Sequence, residues 1–275
     1  MTTSAPFPDD DDIGRFRRDG AVILRRAFDR DWIDRLAQGV DRNLAEPGPF
    51  AHHYVSDTDG AGAFFGDYCN WRRIPEYRDF AFHSPAASIA ARLLGASKIN
   101  LFHEHVLVKE PGSPAPTPWH HDQPYWTVDG EQVCSLWVPL DAVARETCVE
   151  FVAGSHRWGK WFTPKRFVDG DDHATNEGET APDIDANRDA HTILGWDLDP
   201  GDCIAFHALA LHGAPGNTST SRRRRAVAWR FTGDDARFAR RDGLMSPPFD
   251  EVTLTPGAAM DCETFPVVWP PQPAA

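Results

Sequence analysis

INLFHEHVLVKEPG, residues 99–112, is the stretch at which the apolar pattern of the chain changes from helical to extended. After it, short runs rich in β-branched and aromatic residues are bounded by Gly, Pro or Asn, which predicts strands. The runs that follow are QVCSLWVPLDAV (132–143), CVEFVAG (148–154), GDCIAFHALALHGAPGN (201–217) and RRAVAWRFTG (224–233). Such a succession is typical of an antiparallel sandwich or barrel.

The part of the chain before Gly95 predicts helices. A stripe of apolar residues spaced four apart predicts an amphipathic helix over residues 29–44. We also expect helices at 74–83 and 85–95, and a short one that Asp11 or Asp12 caps and Gly20 ends, followed by the strand AVIL at 21–24. Residues 47–68 are predicted to be a long loop. Because helices come first and strands follow, the sequence predicts an α+β fold, mainly β.

The length of 275 residues is enough for one large domain or two small ones, and we expect one. No internal repeat of 20–50 residues interrupts the pattern. The predicted organisation is an acidic tail at 1–12, one domain at 13–240 and a C-terminal extension at 241–275. Within the domain we expect a helical part at 13–95, a β part at 96–235 and a long insertion at 157–199, which is predicted to be a lid.

The formal net charge of −13 is concentrated in two places. Residues 9–12 are four aspartates, and residues 169–199 contain ten acidic side chains against the single basic residue Arg188. An acidic protein of this kind disfavours nucleic acid and anionic membrane as partners. The acidic insertion is either a solvated loop or a surface that attracts cations.

Processing signals and cysteines indicate the compartment. The N-terminal sequence MTTSAPFPDDDD has neither a basic stretch nor an apolar run, and no later stretch approaches 18 apolar residues. The five cysteines are widely spaced, odd in number and form no Cys-x-x-Cys pair. We therefore expect a cytoplasmic protein without disulfides, a zinc knuckle or a membrane span.

The segment TPWHHDQPYW, residues 117–126, contains the clearest chemical signal. In a strand, side chains at positions i and i+2 share a face, so His120 and Asp122 can converge whereas His121 points the other way. One imidazole and one carboxylate are two of the three ligands of the facial triad that holds non-haem Fe(II). The third ligand should be a distant histidine. His212, before a Gly/Pro turn, is the candidate, and His207 is the alternative.

The chain resembles the phytanoyl-CoA dioxygenase family of Fe(II)- and 2-oxoglutarate-dependent oxygenases. The resemblance spans roughly residues 12–235 and rests on several segments in the family's order, followed by a basic residue about a dozen positions after His212. These segments are VKEPGS (108–113), WHHDQPYW (119–126), LWVPLDAV (136–143), GSH (154–156) and HGAPGN (212–217).

The resemblance implies a double-stranded β-helix, or jelly roll, of the cupin-like kind, with N-terminal helices packed on one face. It implies that His120, Asp122 and His212 bind iron and are the catalytic centre, with 2-oxoglutarate and O2 as co-substrates. Halogenating members of the family replace the metal-binding carboxylate with a small residue. Because Asp122 is intact, we expect hydroxylation rather than chlorination.

The distal carboxylate of 2-oxoglutarate is best held by an arginine, whose planar fork matches two oxygens. The run Arg222 to Arg225 offers four candidates. The family pattern selects Arg224, and strand alternation agrees because Ala226 and Ala228 on the same face leave room. The spacing from the preceding turn is one residue longer than usual, so Arg223 stays an alternative.

Further site residues are expected from the resemblance and from the aromatic content of one loop. Trp137 and His103 match family positions beside 2-oxoglutarate, and Trp126 matches a position that lines the substrate pocket. The loop AFFGDYCNW, residues 63–71, contains aromatic side chains that could stack on a ring or a sugar. The candidates in this loop for contact with the substrate are Phe64, Phe65 and Tyr68.

The predicted function is oxidation, most simply hydroxylation, of an unactivated C–H bond in a small molecule. Oxidative cyclisation or desaturation by the same centre is the alternative outcome. The acidity of the insertion favours a cationic or neutral substrate over acyl-CoA, for example a secondary metabolite such as an amine-bearing sugar or an antibiotic intermediate. A non-catalytic cupin-like binding module and a metal-dependent hydrolase or isomerase are the rival classes. The intact ligand set argues against the first, and the co-substrate arginine argues against the second.

Overall fold

The computed structural model describes residues 7–55, 62–163, 178–243 and 245–271. Within these residues, helices pack on one face of a large antiparallel sheet, and a smaller sheet covers part of the other face. The prediction of a mainly β jelly roll with N-terminal helices on one face is therefore confirmed. No helix in these described ranges is both long enough and apolar enough to cross a membrane.

The helices begin and end where capping chemistry favours it. Their bounds are α1 Asp10–Asp19, α2 Arg30–Ala45, α3 Pro75–His83 and α4 Ala86–Leu94. α2 begins after Asp29, whose carboxylate accepts a hydrogen bond from the backbone N–H of Trp32 at 3.1 Å. α1 and α4 end at Gly20 and Gly95, both in the left-handed region that glycine adopts without strain.

Three expectations for the N-terminal part are wrong in detail. Asp9 to Asp12 do not all belong to a loose tail, because Asp9 and Asp12 form a capping box in which each side chain accepts from the other's backbone N–H. Asp9, rather than Asp11 or Asp12, is the N-cap of α1. The predicted loop at 47–68 contains two strands, because residues 64–68 pair with residues 105–109 and residues 52–55 pair in turn with residues 64–66.

The large sheet contains β1 Ala21–Leu24, β2 His52–Val55, β3 Phe64–Tyr68, β4 Ile99–Lys109, β7 Val133–Pro139, β10 Cys203–His207, β12 Arg224–Thr232 and β14 Val267–Trp269. The strand order is β1-β10-β7-β12-β4-β3-β2, and β14 pairs with the start of β4. The long strand β12 lies centrally, paired with β4 on one side and β7 on the other.

The small sheet contains β5 Thr117–His120, β8 Glu150–Val152, β9 Ile193–Leu194 and β11 His212–Ala214, in the order β5-β11-β8-β9. A separate pair is formed by β6 Val128–Asp129 and β13 Arg237–Phe238. The apolar segment 201–217 thus contributes to both sheets, because the chain leaves the large sheet after His207 and enters the small sheet at His212.

Alternation along β12 separates two apolar clusters. Val227, Trp229 and Phe231 point to the helices, where the ring of Trp229 lies 4.9 Å from the ring of Phe80 in α3. The neighbouring positions point to the small sheet and pack with residues such as Phe151 of β8. Period-two alternation therefore assigns every second side chain of this strand to the space between the sheets.

The C-terminal segment after residue 240 closes one end of the space between the sheets. Phe249, Met260 and Phe265 are buried against Phe102 and Trp126. The predicted C-terminal extension is thus an integral part of the packing in its described residues, and it adds β14 to the large sheet.

The described parts of the predicted lid, 157–163 and 178–199, do not line the cavity between the sheets. Phe162 and Ile184 are buried instead against Val152 and Leu211, in a cluster separate from the one that fills the interior. These two apolar side chains are the physical reason that this part of the insertion packs down on the small sheet. Residues 164–177, which hold part of the acidic run, lie outside the described residues.

The contact between α2 and α3 generates a stability prediction. A Cβ added at the buried Gly39 would lie 2.5 Å from the ring of Tyr77, which is fully buried. We expect Gly39→Ala to lower the free energy of unfolding by about 1–3 kcal/mol, since overpacking outweighs the better helix propensity of alanine. Urea denaturation measures the change.

Gly14→Ala in α1 is the matched control, because nothing lies within 4 Å of the added Cβ. At this exposed helical position, the same exchange should raise the free energy of unfolding by up to about 1 kcal/mol. Equal stabilisation of both variants would contradict the packing described here.

Candidate active site

Three buried residues from the small sheet and its adjoining turn form a metal-binding geometry. His120 ends β5, Asp122 follows it, and His212 begins β11. His212 and His120 are register partners in the β5–β11 pair, which brings together residues 92 positions apart. One ligand atom from each of the three residues lies within 4.8 Å of the others.

His207, the alternative third residue, is not part of this group. It ends β10 in the other sheet, where its Nε2 lies 2.8 Å from the carbonyl oxygen of Glu131. Its Nδ1 accepts a hydrogen bond from the backbone N–H of Leu209 at 3.0 Å. Both ring nitrogens are therefore used in local structure.

Backbone carbonyls orient the two histidines of the metal-binding geometry. Nδ1 of His120 lies 2.8 Å from the carbonyl oxygen of Pro118, and Nδ1 of His212 lies 2.9 Å from that of Ala210. Because a carbonyl oxygen can only accept, each Nδ1 carries the proton and each Nε2 presents a lone pair. The Nε2 atoms face Oδ1 of Asp122 at 3.4 Å and 3.9 Å. This outer-shell arrangement is typical of metal-binding histidines.

The charge state of the group suits a divalent cation. Burial alone would raise the pKa of Asp122, but nearby His212, His120 and Arg230 hold it well below its usual range. Burial, with a smaller contribution from His120, lowers the pKa of His212 to about 4. Asp122 is therefore ionised and His212 neutral at pH 7. Oδ2 of Asp122 is buried and accepts no hydrogen bond, so the residues present fit a metal ion.

The group opens into a cavity between the sheets with about 680 Å³ of empty space, part of it continuous with solvent. β4 and β12 form one wall, and β5, β11 and the turn after β5 form the opposite one. Its lining residues are Phe64, His105, Leu107, Lys109, Thr117, His120, Asp122, Tyr125, Trp137, Val149, Phe206, His212, Gly213, Ala214, Arg224, Ala228 and Arg230.

Two buried basic side chains lie side by side at one end of the cavity. Arg224 and Lys109 are register partners on β12 and β4 and are 8% and 2% exposed. In the described part of the chain no carboxylate lies within 4.0 Å of either. Arg224 donates to the carbonyl oxygen of Thr147, and Nζ of Lys109 donates to that of Ala115 at 2.7 Å. Buried charges without a counter-ion are costly, so this end of the cavity is suited to an anion.

The pKa values of the two side chains reflect the same environment. Burial, with a smaller contribution from the neighbouring Arg224, lowers the pKa of Lys109 to about 6, so without a bound anion this side chain is mostly neutral at pH 7. Burial lowers the pKa of Arg224 to about 10. Arg224 therefore stays charged at neutral pH, and a bound carboxylate would favour the protonated form of Lys109 as well.

The structure separates Arg224 from its alternative, Arg223. Arg223 is 40% exposed at its side chain and forms an ion pair with Glu110. Arg225 pairs with Asp141 at 2.9 Å, so its charge is also compensated. Alternation along β12 leaves Arg224 as the arginine of this run that faces the cavity.

The two other predicted neighbours of 2-oxoglutarate have different positions. Trp137 of β7 lines the cavity and is 6% exposed. His103 does not line it. It is buried among Phe102, Trp126 and Phe249, near the closed end of the barrel. His105, two residues farther along β4, is the histidine of this strand in the cavity wall.

Of the four residues predicted to contact substrate, Phe64 lines the cavity. Phe65 points to the helices and belongs to the core there, because neighbouring side chains of β3 face opposite sides of the sheet. Tyr68 lies outside the lining and contacts the ring of His105 at 5.4 Å. Trp126 is buried beneath the guanidinium of Arg230, 5.3 Å from its ring centre, and supports that side chain.

Sequence reasoning missed four ionisable residues of the cavity: His105, Lys109, Tyr125 and Arg230. Strand alternation could have found three of them. His105 and Lys109 lie on one face of β4, and Arg230 lies an even number of residues from Arg224 on β12. Tyr125, which donates to Oδ1 of Asp122, lies in a short 3-10 helix that alternation does not describe.

A family model described as "Phytanoyl-CoA dioxygenase (PhyH)" matches residues 16–226. A phytanoyl-CoA dioxygenase domain-containing protein 1 homolog of Caenorhabditis elegans is 22% identical over 255 residues, which cover 76% of this chain and 86% of the relative. The multifunctional dioxygenase prhA of Penicillium brasilianum is 23% identical over 238 residues, 80% of this chain and 70% of that protein.

Solved structures show the same fold over almost the whole chain. SnoK, a non-heme alpha ketoglutarate dependent carbocyclase from nogalamycin biosynthesis, is 23% identical with a TM-score of 0.74, covering 97% of this chain and 99% of SnoK. SnoN, a non-heme alpha ketoglutarate dependent epimerase from the same biosynthesis, is 25% identical with a TM-score of 0.71, covering 94% and 97%. With the family model matching more than half of its residues, the chain belongs to the phytanoyl-CoA dioxygenase family of Fe(II)- and 2-oxoglutarate-dependent oxygenases.

Proposed function

We propose that this oxygenase hydroxylates an unactivated C–H bond of a small molecule, with His120, Asp122 and His212 as the iron ligands. The observation that carries the proposal is that one cavity contains both a buried, pre-oriented His-Asp-His group and an acid-free pair of buried cations. The first is a facial set that leaves coordination positions open. The second is a site for the distal carboxylate of 2-oxoglutarate.

Iron and 2-oxoglutarate, when bound, supply oxidation of a C–H bond by O2 with loss of CO2 from the co-substrate. The protein's own residues bind and orient. Pro118 and Ala210 fix the two histidine rings through their carbonyl oxygens, and Tyr125 donates a hydrogen bond to Asp122. Arg224 receives the distal carboxylate, with the charge of Lys109 beside it, and Trp137 forms part of the wall.

The apolar lining keeps the reacting C–H bond away from bulk water. Phe64, Leu107, Val149 and Phe206 supply apolar surface to the cavity lining. Such a wall limits unproductive reactions and holds an apolar part of the substrate near the metal. Hydroxylation is the default outcome. Desaturation or ring closure by the same centre is the alternative, and it depends on which C–H bond of the substrate lies next to the metal.

The substrate is proposed to be a small molecule, and the charged side chains of the cavity wall indicate which substrate charge would be favoured. Among the described residues lining the cavity, Asp122 is the one acidic side chain, and it is a proposed iron ligand. An amine-bearing sugar would therefore find no free carboxylate there. The acidic insertion, on which a cationic substrate was predicted, does not line the cavity in its described part.

The reaction class is tested by anaerobic addition of Fe(II) and 2-oxoglutarate to the apoprotein, followed by O2. We expect a visible charge-transfer absorption that requires both additions, and then formation of succinate. A screen of candidate metabolites by succinate release then identifies substrates that stimulate turnover. Absence of both the absorption and succinate would overturn the oxygenase mechanism.

The metal ligands are tested by Asp122→Asn, which removes a negative charge while keeping the shape of the side chain. We expect metal affinity to fall by more than about a hundred-fold, beyond the effect of changes to outer-shell groups. Isothermal titration with Co(II) measures it without turnover. His121→Gln is the matched control, because His121 points away from the group and packs on Phe162 at 4.7 Å. Its metal affinity should stay near that of the parent protein.

The co-substrate arginine is tested by comparing Arg224→Ala with Arg223→Ala. Loss of a buried charged donor should weaken 2-oxoglutarate binding by roughly ten- to a hundred-fold in Arg224→Ala. Loss of the exposed Arg223–Glu110 pair should change it little. Equilibrium titration of the anaerobic metal-loaded protein gives both dissociation constants, and a larger effect in Arg223→Ala would contradict the assignment.

A further inference from the structure

Arg230 is a third buried cation in the cavity, and the co-substrate site does not account for it. It lies six residues from Arg224 on β12, which is roughly 20 Å along the strand at about 3.3 Å per residue. It is 6% exposed, and its guanidinium lies beside the metal-binding group rather than beside Lys109. Its nearest carboxylate oxygen is Oδ2 of Asp122, at 4.0 Å.

The hydrogen bonds of Arg230 leave part of its donor capacity unused. One terminal nitrogen donates to the carbonyl oxygen of Ala228 at 3.1 Å. The other lies 3.5 Å from Nδ1 of His105, and Nε of Arg230 is buried without an acceptor. Because Nδ1 of His105 accepts from Arg230, its Nε2 carries a proton, and this buried donor also has no acceptor. Two buried donors on adjacent cavity residues thus lack a partner.

The charges in the cavity indicate the kind of group that would complete this region. A divalent iron and the 2-oxoglutarate dianion cancel each other in charge. Asp122 then balances one of the three cations, Lys109, Arg224 and Arg230, so the occupied cavity keeps an excess of positive charge. Burying uncompensated charge is costly, and an anionic ligand near Arg230 removes part of that cost.

A purely structural role for Arg230 would not explain its unpartnered donor or its position in the cavity wall. The ring of Trp126 makes a cation–π contact with the face of the guanidinium, but this contact gives no acceptor to any of its N–H groups. A side chain that served only to fill space would not place an unpartnered Nε in the cavity wall. The bidentate geometry of arginine is suited to the two oxygens of a carboxylate.

We propose that Arg230, assisted by His105, binds a carboxylate of the substrate beside the metal group, so that the substrate is an anionic small molecule. The proposal rests on the proposed oxygenase function and names its substrate class. Ion pairing at Arg230 holds one end of the substrate, and the apolar lining holds the rest.

The test uses full-length protein under anaerobic conditions, with Fe(II) bound and 2-oxoglutarate saturating so that Arg224 is occupied. Calorimetric titration compares two probes of matched shape, phenylacetate and phenylacetamide, with 2-phenylethylamine as the cationic probe. We expect phenylacetate to bind at least about ten-fold more tightly than phenylacetamide, and the amine to bind most weakly. Arg230→Gln should abolish this order, and Arg230→Lys should keep part of it.

Arg222→Gln is the control, because it removes the same charge from an exposed position just before β12. It should leave the probe order unchanged. A wild-type protein that does not prefer phenylacetate overturns the proposal. So does an Arg230→Gln variant that loses 2-oxoglutarate affinity while keeping the probe order, since Arg230 would then serve the co-substrate.

Metal and 2-oxoglutarate binding are measured before the probes, so failure of the oxygenase function is seen separately from failure of the Arg230 assignment. If the glutamine and lysine variants do not fold, the probe order of the wild-type protein still decides the matter.

Discussion

Burial of the two faces of β12 is the constraint on which the site depends. One face carries Val227, Trp229 and Phe231 into the helical layer, where Trp229 meets Phe80. Because the helices cover that face and the small sheet faces the other, the remaining side chains of the strand lie in a space with little water. Charged groups there need partners, so arginines that face this space are suited to binding an anion.

The point at which the chain passes from the large sheet to the small sheet determines which histidine lies beside Asp122. β10 ends in the large sheet at His207, and β11 begins in the small sheet at His212. This crossing gives the two histidines different tasks: His207 bonds to local backbone, whereas His212 pairs with His120 and faces Asp122. Carbonyl oxygens of Pro118 and Ala210 then set the tautomers of His120 and His212, so backbone groups orient the two rings.

Much of the fold and part of the site followed from local patterns. The helices at 30–45, 75–83 and 86–94 and the long strands β4, β7 and β12 have strong periodicity and clear end signals. Strand alternation in TPWHHDQPYW predicted that His120 and Asp122 converge and that His121 points away. The side chains are arranged in this way, although β5 ends at His120 and Asp122 lies in the turn after it. The same rule, with the family pattern, selected Arg224. β2 and β3 were not predicted, because these short segments are strands only through pairing: β3, which contains Gly66, pairs with β4, and β2 pairs with β3.

The sequence by itself determined the main helices and long strands and the pair His120 and Asp122, because each depends on residues close together in the chain. It also indicated the family, through several motifs in order along the chain. Tertiary structure placed His212, and not His207, beside His120 and Asp122, and placed Arg224, and not Arg223, in the cavity wall. It also excluded Phe65 and His103 from the cavity wall and brought Arg230, His105 and Lys109 into it. The reason is that burial and charge compensation depend on which strands are neighbours, and strand neighbours are determined by pairing between residues far apart in the sequence.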